Sequence, residues 1–281
     1  MADQKAVQDL REKTLQLKQY LLKLCNQTSI HIGGDYSAVE FMTVIWHYAM
    51  KYDTSNPKWE GRDRFILSKG HASAVTSFAQ AQLGIYDPEE IYKEYATDYG
   101  RFGMHSCNLI NKYVEVSTGS LGHGLPIAVG VAEGIRRKGL DSRVFVVMGD
   151  GETNEGSIWE GAMQANSLGL GNLVGFVDRN KLQVDGDTEQ VNKLEPYADK
   201  WRSFGWNVIE VDGHDIAALV DVIDNLPAAN SDKPTVVICD TVKGHGVSYM
   251  SNIASWHLGQ IDDEKYALGM KELEEAYERG E

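Results

Sequence analysis

The sequence predicts an α/β fold, a parallel sheet covered by helices, on three observations. Apolar runs at 65–67, 144–148, 173–177, 206–211 and 236–239 alternate with longer segments of helical period, the signature of βαβ units. Glycine-bearing turns at 68–71, 117–124 and 149–156 open helices, the first and last of them directly after an apolar run. Polar residues, Asp150 and Asn180, stand just past two of the runs, at the carboxyl ends of strands where open α/β sheets bind ligands.

Each element has its own warrant. Val7, Leu10, Leu17, Leu21 and Leu24 share one stripe, with Lys and Gln opposite, so an amphipathic helix packs there. Ser37-Ala38-Val39-Glu40 has capping-box spacing ahead of an apolar helix reaching about Met50, and is expected to close a turn at Ile32-Gly33-Gly34-Asp35. Phe65-Ile66-Leu67 reads as a strand feeding Ser68-Lys69-Gly70-His71 and a helix. The turn 117–124 opens a helix of small apolar residues ending near Arg136-Arg137-Lys138, a cationic end that suits the helix dipole. Beyond 144–148 come a helix over 157–168, the strand 173–177, a helix from about Pro196, the strand 206–211, a helix over 216–226 and the strand 236–239. A last helix places Tyr266, Met270, Leu273 and Tyr277 on one face.

With 281 residues, 42% of them hydrophobic, and no Pro/Gly/Ser-rich linker, the chain is expected to form a single domain over 1–281 with N- and C-terminal helical extensions. A formal charge of −14 would repel nucleic acid or an anionic membrane over most of the surface, so any phosphate is bound locally. No apolar run reaches the roughly 18 residues of a transmembrane helix, and the N-terminus is charged and amphipathic. A cytoplasmic protein is expected. Cys25, Cys107 and Cys239 show neither CxxC spacing nor an even count, so they are expected to be ordinary buried thiols.

The chemistry centres on Gly149-Asp150-Gly151-Glu152-Thr153-Asn154-Glu155-Gly156 and on Asp178-Arg179-Asn180-Lys181-Leu182. Magnesium and calcium take oxygen ligands, and magnesium commonly takes one or two from the protein while phosphate oxygens fill other positions. Asp150 and Asn180 supply two such oxygens. Gly149 and Gly151 are expected to let backbone amides approach a phosphate, with the following helix turning its positive end the same way. Gly-Asp-Gly alone is also the pattern of a plain turn with a capping aspartate; Asn180 on the next strand shifts the reading toward a metal-held diphosphate.

These motifs resemble the cofactor fingerprint of thiamine-diphosphate enzymes. Asp63-Arg64-Phe65-Ile66-Leu67-Ser68-Lys69-Gly70-His71-Ala72, Ser117-Thr118-Gly119-Ser120-Leu121-Gly122, Asp212-Gly213-His214-Asp215 and Thr241-Val242-Lys243-Gly244 narrow the resemblance to the N-terminal half of transketolases, including those split into two polypeptides. The resemblance implies the thiamine-diphosphate-binding fold, with Mg2+ or Ca2+ held by Asp150, Asn180 and the carbonyl of Leu182. It implies cofactor contacts from His71, Gly119, Ser120, Leu121, Gly149, Asp150, Gly151, Glu155, Asn180 and His257. It also implies transfer of a two-carbon ketol unit from a ketose, expected to be phosphorylated, to an aldose, with His31, His71, His105 and His257 handling substrate protons. Glu155 would meet a partner across a subunit interface. A C-terminal transketolase subunit, in a heterotetramer of two chains each, would supply a glutamate that protonates the cofactor's aminopyrimidine and an aromatic pocket that stacks on that ring.

The chain departs from the family at Gly103-Met104-His105-Ser106, at His123 and at Trp256-His257-Leu258-Gly259, which touches acceptor selectivity but removes no metal ligand. His47 and His214 read as structural histidines, and Glu160 stands level between helix stabilisation and function. Two other assignments remain open: the α subunit of a 2-oxo-acid dehydrogenase, which shares the fingerprint, and a non-catalytic assembly subunit.

Overall fold

In the computed structural model, which describes residues 3–184 and 186–280, the chain begins with helix α1 (Gln4–Gln27), capped where Asp3 accepts from the Lys5 amide. There follow α2 (Ile32–Tyr36), α3 (Val39–Val44), a π turn at Ile45–Ala49, strand β1 (Arg64–Leu67), α4 (Ser73–Gln82) and α5 (Pro88–Glu94). Next come α6 (Gly124–Arg137), β2 (Val144–Gly149), α7 (Gly156–Ser167) and β3 (Leu173–Arg179). The remainder comprises β4 (Leu182–Gln183), β5 (Gly186–Asp187), α8 (Thr188–Val191), α9 (Tyr197–Ser203), β6 (Asn207–Asp212), α10 (Ile216–Asp224), β7 (Thr235–Asp240) and α11 (Asp263–Arg279).

Five strands pair in parallel in the order β1-β2-β3-β7-β6, and β4 with β5 makes a small antiparallel ribbon. Residues of each strand divide by parity between two cores. Phe65, Leu67, Phe145, Val147, Val174, Phe176, Val237 and Cys239 pack on the side of α1, α3, α4 and α10. Ile66, Val144, Val146, Met148, Leu173, Val177, Val236 and Ile238 pack on the side of α6, α7 and α9. A sheet covered on both faces explains why β1, β2, β3 and β7 read as near-continuous apolar runs, while β6, at the edge, carries the exposed Glu210, and each buried Phe, Val or Leu side chain stabilises by about 1.5–3 kcal/mol. Helix α11 packs on α1, and its Leu273 joins the first core. Among the described residues no helix is long and apolar enough to cross a membrane.

Three local expectations fail, the capping box for a tertiary reason. Gly33 and Gly34 lie inside helix α2 rather than in a turn. The 37–40 capping box does not form: Ser37 donates to Asp178 at 2.6 Å, while Glu40 pairs with Lys18 at 2.6 Å. Helix α3 accordingly starts without a side-chain cap, because buried charges compete for both polar groups. Cys25 and Cys239 are buried as expected, but Cys107 is half-exposed.

Candidate active site

Register brings the two halves of the fingerprint together. Gly149 lies opposite Asp178 in the β2–β3 ladder, so Asp150 and Asn180 leave adjacent strand ends side by side. Asp150 Oδ1 accepts from the Gly151 amide at 2.7 Å, and Oδ2 accepts from the Lys181 amide at 2.7 Å and from Arg179 at 3.0 Å. Asn180 Oδ1 accepts from the Leu182 amide at 3.1 Å, and its amide group donates to Asp178 at 2.9 Å. Lys181, between them, is held at φ 65°, a left-handed conformation costly for a residue with a side chain. Its amide ties the Asn180 turn to Asp150.

Burial, and then the charge of Asp178, raise the Asp150 carboxyl to about 6 against the pull of Arg179. A further cation beside it would offset that burial cost. The donors at hand are a carboxylate, an amide oxygen and the carbonyl of Leu182 at the start of β4, an all-oxygen set that fits magnesium or calcium rather than zinc.

One expectation needs correcting. The amides of Gly149 and Gly151 do not point at an open phosphate position: Gly149 donates to Glu152 at 3.0 Å and Gly151 to Asp150. Glu152, which sequence reasoning passed over, is buried and also accepts from Ser68 and from the Gly122 amide, the latter at 2.9 Å. It therefore ties together the turns after β1 and β2 and the 117–124 turn.

The four histidines singled out from sequence do converge. His31 lies 5.3 Å from His71, 5.6 Å from His105 and 5.3 Å from His257, ring centre to ring centre, and His71 lies 5.3 Å from His257. His31 comes from the start of α2, His71 from the turn after β1, His105 from the loop before α6, and His257 from a short 3-10 turn before α11. Burial, followed by His105 and two lysines, lowers His31 to about 4; burial and then Lys243 lower His257 to about 4; burial and Lys69 hold His71 well below its ordinary value. These imidazoles are neutral near pH 7, able to accept or relay protons. The buried Nδ1 of His31 has no hydrogen-bond partner among the described residues, as expected of a group facing a ligand.

Beside the histidines lie two buried lysines that sequence reasoning left unassigned. Lys69 is 1% exposed and pairs at 2.5 Å with Asp178, itself 0% exposed. Burial would raise the Asp178 carboxyl, but Lys69, Ser37 and Thr241 hold it below the usual carboxylate range. Lys243 contacts His257 Nδ1 at 3.1 Å, and burial, with Lys69 second, lowers its ammonium to about 8. A lysine in a sequence reads as solvated, so only its position two residues before a histidine, or in a motif of known type, signalled either one.

Glycines set the spacing of the loops. An ideal Cβ on Gly70 would lie 2.7 Å from the Gly119 nitrogen and 2.8 Å from the Thr118 carbonyl carbon, and Gly119 itself sits at φ +144° with its would-be Cβ 3.1 Å from the His105 ring. Gly70→Ala is therefore expected to push the 117–124 turn off the His71 turn, destabilising by about 1–3 kcal/mol. Thermal melting checks this, and an unchanged melting temperature would contradict it. Ser120 is exposed, Leu121 half-buried, and Glu155 and Glu160 are exposed on or just before α7. His47 bonds Gln82 at 3.0 Å, as a structural histidine does.

The family described as "Transketolase, thiamine diphosphate binding domain" matches residues 21–276. An apulose-4-phosphate transketolase subunit of Phocaeicola vulgatus is 38% identical over 89% of this chain and 88% of its own length. The 6-deoxy-6-sulfo-D-fructose transketolase subunit SqwG of a Clostridium species is 36% identical over 87% of this chain and 88% of its own. Among solved structures, transketolase of Campylobacter jejuni superposes with a TM-score of 0.86 at 23% identity, a likeness of fold. Transketolase of Pichia stipitis in complex with sedoheptulose-7-phosphate gives 0.81 at 27% identity. This chain covers 97% of itself in both matches but only 43% and 44% of those longer chains. The match to the family over most of its length, with relatives of 36–38% identity spanning nearly their whole extent, makes this chain a member of the transketolase thiamine diphosphate-binding domain family.

Proposed function

We propose that this chain is the diphosphate-binding subunit of a two-chain transketolase, transferring a two-carbon ketol unit from an anionic ketose to an aldose. The convergence of three imidazoles on a fourth, His31, is the observation that carries this reading, because ketol transfer moves protons on substrate hydroxyl and carbonyl groups at each stage. Two relatives are named for a ketose 4-phosphate and a 6-sulfo ketose; both names describe a sugar with an anionic end, and we read the donor here the same way. Met104 and Ser106 flank His105 and are placed to influence the acceptor.

Thiamine diphosphate, when bound, supplies the carbanion sink of the reaction. Asp150, Asn180 and the Leu182 carbonyl would hold the metal, and Lys243 would meet diphosphate charge. Neutral His31, His71 and His257 would accept and return substrate protons, with His105 orienting hydroxyls against Gly119. Glu155, exposed beside the 117–124 turn, would face a second subunit. A C-terminal transketolase subunit would complete the site with the glutamate that activates the cofactor's pyrimidine, two copies of each chain forming the assembly.

Lys243 makes the diphosphate assignment measurable. Its ammonium titrates near 8 in the protein, and an anion would raise that value, so binding takes up a proton above pH 8. Affinity for thiamine diphosphate, measured by calorimetry with Mg2+ and the partner subunit present, should therefore fall by up to about tenfold per pH unit above 8. Lys243→Met should weaken binding and remove this step. A wild-type affinity that is flat from pH 7.5 to 9.5 would contradict the assignment.

A further inference from the structure

Outside the histidine cluster, a second buried polar group joins helix α1 to the strand ends. Lys18 Nζ sits 2.6 Å from Glu40 Oε1, Glu40 Oε2 lies 3.0 Å from His214 Nδ1, and His214 Nε2 lies 2.9 Å from the Val242 amide nitrogen. His245 stacks on His214 at 3.6 Å between ring centres, with Nδ1 3.3 Å from Lys18. Burial alone would raise Glu40, but Lys18 and His214 hold it well below its ordinary value.

Glu40, His214 and His245 bring three potential ligand atoms within 4.8 Å of one another, which invites reading them as a metal site. Two facts oppose that. The Lys18 ammonium already occupies the cation position, bridging Glu40 and His245. A backbone amide can only donate, so Nε2 of His214 carries the lone pair and Nδ1 carries the proton; ligation through Nδ1 would put a second N–H against that of Val242. The proton on Nδ1 instead donates to Glu40.

The consequence lies at the other end of the chain of bonds. Val242 stands between Thr241, whose hydroxyl donates to Asp178 at 2.5 Å, and Lys243, which reaches His257. Gly213 is pressed against the same segment: a Cβ there would lie 2.4 Å from the Thr241 methyl. We propose that His214 is a positioning residue, locked in one tautomer by Glu40 and Lys18, that holds the Val242 amide and thereby sets Lys243 and Thr241 for the diphosphate site. The link to diphosphate rests on the proposed function; the hold on the 241–246 segment does not.

The test compares His214→Asn, His214→Gln and His214→Phe in the full chain. A glutamine side chain reaches as far as Nε2 and presents an acceptor; asparagine reaches only the Nδ1 position, and phenylalanine keeps the stacking without polar groups. Amide hydrogen exchange over 241–246 is expected to speed about tenfold or more in the Asn and Phe variants and to stay within about threefold of wild type in the Gln variant, the equivalent of one hydrogen bond. Exchange in β7 should stay unchanged. Thiamine diphosphate affinity with Mg2+ and the partner subunit should follow the same order. Asn and Gln variants that exchange alike, or a Phe variant as protected as wild type, would overturn the proposal even if all four proteins are equally stable. A wild-type chain that binds no cofactor while the exchange order holds would sink the diphosphate reading and leave the positioning role intact.

Discussion

Asp150→Ala is expected to weaken Mg2+-dependent thiamine diphosphate binding by about 100-fold or more, beyond the 10–100-fold that loss of an outer partner of a metal site costs. The reason is specific to this carboxylate. It is 1% exposed, it follows β2 next to Asn180, which follows β3, and it is the single negatively charged member of the proposed oxygen set. Removing it leaves an amide and a carbonyl, too little charge to hold a divalent cation against water. The fold should survive, because Arg179, deprived of Asp150, retains Glu195 at 2.9 Å and Glu189 at 3.5 Å. Calorimetry with and without EDTA measures the effect, and circular dichroism checks the fold. An Asp150→Ala chain with wild-type, EDTA-sensitive affinity would show that the metal sits elsewhere.

Lys69→Met should produce the largest loss of stability, about 3–5 kcal/mol, as breaking a buried ion pair leaves an uncompensated charge. Asp178 is the hub that suffers. It also receives Ser37 from the segment between α2 and α3, Thr241 after β7 and Asn180 after β3, so three loops are tied to one carboxylate whose charge Lys69 balances. A fall in melting temperature of roughly 10 °C is expected. Adding Asp178→Leu to Lys69→Met should remove the unbalanced charge and recover part of that loss, the remainder reflecting the Ser37, Thr241 and Asn180 donors left without their acceptor. It should not recover cofactor binding, because Asn180 and Thr241 then lose their anchor. A single Lys69→Met variant as stable as wild type would contradict the ion pair as drawn, and a double variant that binds cofactor normally would contradict Asp178 as the organiser of Asn180.

Periodicity made the frame of this protein legible. The stripe of Leu10, Leu17, Leu21 and Leu24 is the buried face of α1, and the apolar runs are β1, β2, β3, β6 and β7. Those patterns report burial directly, so they survive the loss of every tertiary detail. Local polar signals were less faithful. Ser37 and Glu40 have the spacing of a capping box, yet each is drawn off by a buried partner distant in sequence, Asp178 and Lys18. The glycines around Asp150 suggested amides open to phosphate, yet Glu152 and Asp150 itself engage them. At the first place a charge-assisted tertiary bond outcompetes the weaker local one; at the second, carboxylates one and three residues away engage the amides within the turn itself. Lys69, Lys243 and Glu152 carry ordinary surface-type side chains in the sequence; what makes them part of the site is burial, which no local pattern encodes. The four histidines come from turns far apart in the chain, and it was family resemblance rather than spacing that named them.

On the function proposed above, this chain holds half of a thiamine-diphosphate site and needs a second subunit to transfer ketol units. A coupled assay of ketol transfer from an anionic ketose to an aldose tests it most directly, run with the full chain by itself, with only its cognate C-terminal partner, and with the two combined in the presence of thiamine diphosphate and Mg2+. Turnover is expected only in the mixture, abolished by Asp150→Ala in this chain. Sustained turnover by this chain by itself, or a fully active mixture carrying Asp150→Ala, would contradict it.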